Sequence, residues 1–198
     1  MGKVIMNAAV SLDGYIAFED NSVGPLFDYY GNGDVTTTFV DGGMEFHVTP
    51  PTAGYLREIA ASTGACVIGR VLFDYTNGWN GEPAAGDHVF VVTHQVPDDW
   101  PHLETAPFTF VTEGIETAIA QAREHCGERN IALNAGDVGG QALAAGLVDE
   151  VVLNLVPVVL GSGKSFFGAG GVAEPVLLGN PRVIEGDRVT HLIYPVQR

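Results

Sequence analysis

Residues 130–164 read NIALNAGDVGGQALAAGLVDEVVLNLVPVVLGSGK, and this stretch decides the architecture. It opens with a short apolar run, residues 131–133, that stops at Ala135-Gly136-Asp137. A helical pattern follows over residues 138–145, and Gly146 stands just past its end, where a left-handed residue is wanted. A second apolar run, residues 148–159, leads into Gly161-Ser162-Gly163-Lys164. The reading is strand, glycine turn, helix, strand. That order sets backbone N–H groups of a helix start at the carboxyl end of a sheet, a place suited to a phosphate or a dinucleotide. Glycine between strand and helix is also ordinary turn chemistry.

Upstream, residues 3–10 read as a first strand and Ser11-Leu12-Asp13-Gly14 as a tight turn, with residues 15–18 again extended. Residues 19–51 show weak periodicity and scattered Gly, Asp and aromatics, including Phe27-Asp28-Tyr29-Tyr30. A segment of that length predicts a functional lid or binding loop whose tyrosines stack on a planar ligand. The competing reading is a surface excursion whose aromatics pack back on the body. Thr52 is positioned to cap a helix reaching about residue 62. Strands are expected at residues 65–68, 88–93 and 108–111, with helices at 71–75 and from Ile115 to near Cys126. Beyond Lys164, residues 176–178, 182–185 and 188–196 read as antiparallel strands, with Gly186-Asp187 at a turn. Strands alternating with helices, then a β-rich tail, predict an α/β fold: a mainly parallel sheet flanked by helices on both faces, with an antiparallel C-terminal edge. Residues 1–198 are expected to form a single domain.

Composition narrows the function. Nine Lys and Arg against 24 Asp and Glu give a net charge of −15, which disfavours nucleic acid and anionic lipid surfaces. No apolar run reaches membrane-spanning length, and the opening residues do not read as a signal peptide. The two cysteines, Cys66 and Cys126, form no disulfide framework, so a reducing cytoplasm is the default. The six histidines lack metal-ligand spacing, so no metal site is expected. Apolar residues on alternate faces of residues 151–159 and of the tail predict a homodimer.

In a parallel sheet three strand ends converge: Gly69-Arg70, Thr93-His94 and Ala135-Gly136-Asp137. Arg70 offers a fork of donors for a phosphate, Thr93 a hydroxyl, and His94 a further donor. A surface ion pair is the bland alternative for Arg70, and a plain loop residue for His94.

Asn7-Ala8-Ala9-Val10-Ser11-Leu12-Asp13-Gly14-Tyr15-Ile16-Ala17, Val67-Ile68-Gly69-Arg70 and Val91-Val92-Thr93-His94 occur in order, followed by Ala145-Gly146-Leu147-Val148-Asp149-Glu150 and Pro157-Val158-Val159-Leu160-Gly161-Ser162-Gly163-Lys164. Together they resemble the dihydrofolate reductase-like family, which includes the reductase domain of riboflavin biosynthesis. The resemblance implies a three-layer sandwich that binds NADPH and passes a hydride to a pterin-like or ribityl-pyrimidine-like small molecule. A non-catalytic nucleotide-binding or sensor protein on the same fold is the alternative. Carried over, Ala9 and Asp13 border the nicotinamide and the substrate mouth, and Gly69 and Arg70 open the helix facing cofactor phosphates. Thr93 and His94 flank the adenosine 2′-phosphate; Ala135, Gly136, Asp137 and Val138 wrap the pyrophosphate. Leu72 and Ala135 depart from the family pattern, which favours Thr and Gly there. The first helix lacks an early carboxylate, Glu58 coming a turn too late, so the catalytic acid is unassigned and Asp13 and Asp28 are candidates for substrate contact.

Overall fold

The structure is a computed structural model that describes residues 2–40 and 43–197. Its strands are β1 (Val4–Ser11), β2 (Tyr15–Ala17), β3 (Val35–Thr37), β4 (Phe46–Val48), β5 (Thr63–Gly69), β6 (His88–Val92), β7 (Phe108–Val111), β8 (Asn130–Asn134), β9 (Glu150–Val156), β10 (Lys164–Ser165), β11 (Arg182–Glu185) and β12 (Thr190–Pro195). The helices are α1 (Pro50–Ser62), α2 (Arg70–Thr76), α3 (Ile115–Cys126) and α4 (Asp137–Ala144). Eight strands make one sheet in the order β11-β12-β9-β1-β8-β5-β6-β7. From β9 to β7 every neighbouring pair is parallel, while β12 and β11 turn antiparallel at the edge. The sandwich read from the sequence is therefore the fold.

The quoted stretch supplies the centre. β8 and β9 flank β1 on either side, joined by α4, and Gly146 takes φ 69° as the chain leaves that helix. Alternation sorts each strand between two faces. Val4, Met6 and Val10 join Val67, Leu133 and the buried sides of α3 (Ala118, Ile119, Ala122) and α4 (Ala142, Leu143). On the opposite face Ile5 and Val152 pack beneath α1, through Ala53, Tyr55 and Leu56. Further along that face Cys66, Ile68 and Ala132 pack beneath α2, through Phe73.

Three expectations are corrected. Residues 19–51 are not a bare loop: they hold a 3₁₀ segment (Gly24–Gly31) and the β3–β4 ribbon. Tyr29 is 1% exposed and packs with Ala9, Leu26, Val156 and Val189, and the Tyr30 ring lies 4.4 Å from that of Phe46. The Tyr29 hydroxyl has no hydrogen-bond partner among the described residues. That costs about 1–3 kcal/mol, but burying an aromatic ring of 150–250 Å² returns roughly 4–6 kcal/mol. The ring therefore stays in the core and does not stack on a ligand. Second, Thr49 precedes α1, Pro50 and Pro51 fill its first turn, and Thr52 lies inside, 1% exposed. Third, residues 176–178 form no strand; only a single bridge joins Leu178 to Val196.

Candidate functional site

β1, β8, β5 and β6 are parallel neighbours, so their carboxyl ends open on one edge. Register fixes the alignment: Asn7 pairs with Asn134, Val67 with Leu133, and Gly69 with Val92. A methyl group on Gly69 would lie 3.1 Å from a methyl of Val138, which places the start of α2 against the start of α4. Arg70 reaches across to the end of β6, its Nη1 donating to Gln95 O at 2.8 Å and to Thr93 Oγ1 at 3.4 Å. Arg70, Thr93 and Gly136 thus share one edge of the sheet.

Each group on that edge has a defined state. Arg70 Nε is held by Asp74 at 2.7 Å, and the guanidinium lies over the Phe73 ring. It borders a cavity of about 170 Å³ that Phe73, Asn77, Asp99 and Trp100 also line. The chain beyond α2 is left-handed from Asn77 through Trp79 and Asn80, with φ of 50°, 47° and 57°. Left-handed backbone costs side-chain-bearing residues about 1–2 kcal/mol each, and such strain gathers at functional sites. The Thr93 hydroxyl donates to Gln95 O at 2.9 Å and accepts from Arg70, so it braces Arg70 and is not a free donor. His94 is exposed beside it. Ala9 and Ala135 are buried.

Gly136 takes φ 89°, which a side chain would resist, and its N–H donates to Phe166 O at 2.8 Å. Among the described residues no side chain caps α4, so its leading N–H groups face the edge without a side-chain acceptor. Asp137 does not cap the helix; its carboxylate accepts the Ala169 N–H at 2.8 Å and pins the strap after β10. The edge therefore suits a dinucleotide: an arginine for phosphate, an uncapped helix start, and a glycine where backbone must approach closely.

Asp13 accepts from Ser11 Oγ at 2.6 Å, from Gly161 N at 2.7 Å and from Leu160 N at 3.1 Å. The Ser11 hydroxyl and those backbone N–H groups hold its carboxyl below the usual range, so it is a latch between the β1 turn and the end of β9 and not a proton donor. Asp28 is exposed on the 3₁₀ segment. Glu58 forms a two-armed pair with Arg182, both bonds 2.7 Å, and is not offered to the cleft.

The sequence reading missed the polar groups of the neighbouring face. Asn7 and Asn134 are direct register partners at the open half of the sheet, on the face that α1 and α2 cover, and both are half-buried. One row further, Ala9, Asn154 and His191 align across β1, β9 and β12. His191 is fully buried; its Nδ1 lies 2.8 Å from Asn154 Oδ1 and its Nε2 3.2 Å from Thr52 Oγ1. Because Asn154 Oδ1 only accepts, Nδ1 carries the proton and Nε2 takes the Thr52 hydroxyl. Burial lowers the imidazole to about 4, so it is neutral. A single asparagine inside β1 and inside β9, and one closing β8, were the available signal.

Comparison with known proteins gives the family and the fold. Residues 2–188 match the RibD C-terminal domain model. The chain belongs to the RibD C-terminal domain family, a reductase-type domain. It is 26% identical over 165 residues to the uncharacterized protein YwjB of Bacillus subtilis (strain 168), covering 83% of this chain and 82% of that one. Among solved structures it superposes on a putative riboflavin biosynthesis protein from Shewanella sp. PV-4 with TM-score 0.72, 21% identity and full coverage of both chains. It also superposes on the diaminohydroxyphosphoribosylaminopyrimidine deaminase/5-amino-6-(5-phosphoribosylamino)uracil reductase of Thermotoga maritima, with TM-score 0.64 and 14% identity, covering 99% of this chain and 57% of that one. At those identities the two superpositions establish the fold. Among the described residues no helix is long and apolar enough to cross a membrane.

Proposed function

We propose that this chain is an NADPH-dependent reductase acting on a pterin-like or ribityl-pyrimidine-like small molecule. The observation that carries the reading is the shared edge: Arg70, braced by Thr93, stands beside the uncapped start of α4, and the Asn7–Asn134 pair lies on the adjoining face. When bound, NADPH supplies the hydride.

The chain's own contribution is placement. Arg70 and the α4 N–H groups bind phosphate, with Gly69 and Gly136 keeping the approach clear and Val138 packed behind them. Thr93 fixes Arg70, and His94 adds a donor at the exposed adenosine end. Ala135 keeps the end of β8 small, whereas Ala9 packs with Tyr29 in the core and borders the site only from within. The side-chain amides of Asn7 and Asn134 each present a donor and an acceptor, the pattern that a lactam edge of a pyrimidinone or pterin satisfies. With Asp13 held ionised as a latch and Asp28 turned outward, water in the cleft supplies the proton. The two free, buried thiols of Cys66 and Cys126 suit a reducing cytoplasmic setting.

Titration of the chain with NADPH and NADH, followed through Trp79 and Trp100 emission, tests the reading. Saturable quenching by NADPH, tighter than by NADH, is expected, followed by NADPH oxidation with a pterin or pyrimidinone acceptor. No response to either dinucleotide sinks it. Tight NADPH binding without turnover across a broad acceptor panel points instead to a nucleotide sensor.

A further inference from the structure

A second cavity lies away from the cofactor edge. It is a groove of about 730 Å³ between the β3–β4 ribbon and the second half of α1. Thr63 begins β5, Gly86 precedes β6 and Arg129 precedes β8, so the groove sits at the amino ends of the parallel strands. At about 3.3 Å per residue, a seven-residue strand separates it from the opposite edge by roughly 20 Å.

Its electrostatics run against the rest of the molecule. The chain carries 24 Asp and Glu against nine Lys and Arg, yet the described wall holds Arg57 and Arg129 and no carboxylate. The two arginines differ. Arg129 is committed: Nη1 grips Asp87 at 2.7 Å, and Asp87 also takes His125 Nε2 at 2.7 Å, which together hold that carboxyl down at about 2. Arg57 has no acidic partner among the described residues; one N–H donates to Thr36 O at 3.2 Å, and the other guanidinium N–H groups are free. That bond steadies the guanidinium at the groove wall. Thr38 adds a hydroxyl, while Phe39, Ala60 and Ala61 supply an apolar side.

We propose that this groove is a second small-molecule site, built for an oxyanion, phosphate or carboxylate, carried on a compact apolar body, with Arg57 as its anion receptor. A guanidinium offers an oxyanion paired, charge-assisted hydrogen bonds. The apolar wall gives a ring or short aliphatic body area to bury. The volume falls in the range of small-molecule sites, about 300–1,000 Å³. Because the groove and the cofactor edge lie at opposite ends of the strands, both can be filled together.

The test uses the full chain carrying Arg70→Gln, so that an anion cannot report from the cofactor edge. Inorganic phosphate and benzoate are titrated calorimetrically at low ionic strength, with amide shifts mapped by NMR. Both are expected to bind saturably, benzoate at least tenfold tighter because it alone has an apolar body, with shifts at residues 36–39 and 57–61. Adding Arg57→Gln should weaken benzoate about tenfold or more, while Arg57→Lys, which keeps the charge, should lose less. Melting curves matched to the parent show that the variants are folded. Absence of saturable binding, unchanged affinity in Arg57→Gln, or shifts confined to the cofactor edge overturns the proposal. None of these outcomes bears on NADPH binding by the unmodified chain, so this site and the reductase reading fail separately.

Discussion

The Arg70 guanidinium and the Thr93 hydroxyl, 23 residues apart in sequence, meet at 3.4 Å where β5 and β6 end together, and Thr93 in turn donates to Gln95 O. Thr93 therefore acts by orienting Arg70. Charge-assisted hydrogen bonds to a phosphate are worth about 1.5–3 kcal/mol, which corresponds to roughly 10–150-fold in affinity. Arg70→Gln should weaken NADPH by that factor, and NADH as well, since the phosphate that Arg70 shares with the α4 N–H groups is common to both. Thr93→Val should weaken NADPH more mildly. Equal NADPH affinity in wild type and Arg70→Gln, by fluorescence titration, would remove Arg70 from the site.

His191 makes acid stability a reporter of the buried polar row. Its folded value of about 4 lies below the ordinary 6.5, so between those limits the unfolded chain binds a proton that the folded chain refuses. Stability is full above pH 6.5 and falls as the pH drops toward 4. At pH 4.5 the loss from this one group is on the order of 2.5 kcal/mol. Urea denaturation at pH 7.5 and 4.5 should show His191→Gln losing less stability than wild type over that span, although it starts lower. Identical pH dependence would mean that His191 titrates normally.

The β8–α4–β9 unit was readable because its signals are local: apolar runs, a glycine at each bend, and Gly146 in the left-handed region. Tyr29 was misread because its partners Ala9, Val156 and Val189 come from three distant segments. Nothing in Phe27-Asp28-Tyr29-Tyr30 says which ring turns inward. His191 was invisible for the same reason, its partner Thr52 lying 139 residues away. Asn7, Asn134 and Asn154 were within reach as amides next to apolar strand residues, but their adjacency depends on register, which one-dimensional periodicity does not provide.

Homodimer formation remains a prediction with its own surface. β11 is the terminal strand of the sheet, and Val183 on it is 50% exposed, with Leu177 nearby in sequence at 68% and Val159 at 65%. An edge strand with exposed apolar residues is a template for pairing with another chain. Sedimentation at micromolar concentration should give a dimer, and Val183→Lys should shift it toward monomer without lowering the melting temperature by more than a few degrees. A wild-type monomer removes the expectation. A dimer untouched by Val183→Lys moves the interface elsewhere.

Gly140 and the strap after β10 approach each other closely near the cofactor edge. A methyl group on Gly140 would meet Phe167 O at an impossible 2.1 Å, and both partners are backbone, so neither can simply rotate away. The strap also accepts the Gly136 N–H through Phe166 O and is pinned by Asp137 through Ala169 N. Gly140→Ala should therefore act twice. Forcing helix and strap apart should cost about 1–3 kcal/mol of stability, as overpacking does. For a chain of this size, that lowers the melting temperature by roughly 2–12 °C. The same displacement frees the Gly136 turn, so NADPH affinity should fall as well. Asp137→Asn, which keeps the shape but weakens the pin, should lower NADPH affinity with a smaller loss of stability. If Gly140→Ala loses stability while binding NADPH as tightly as wild type, the strap supports the fold alone and the α4 start is not part of the cofactor edge.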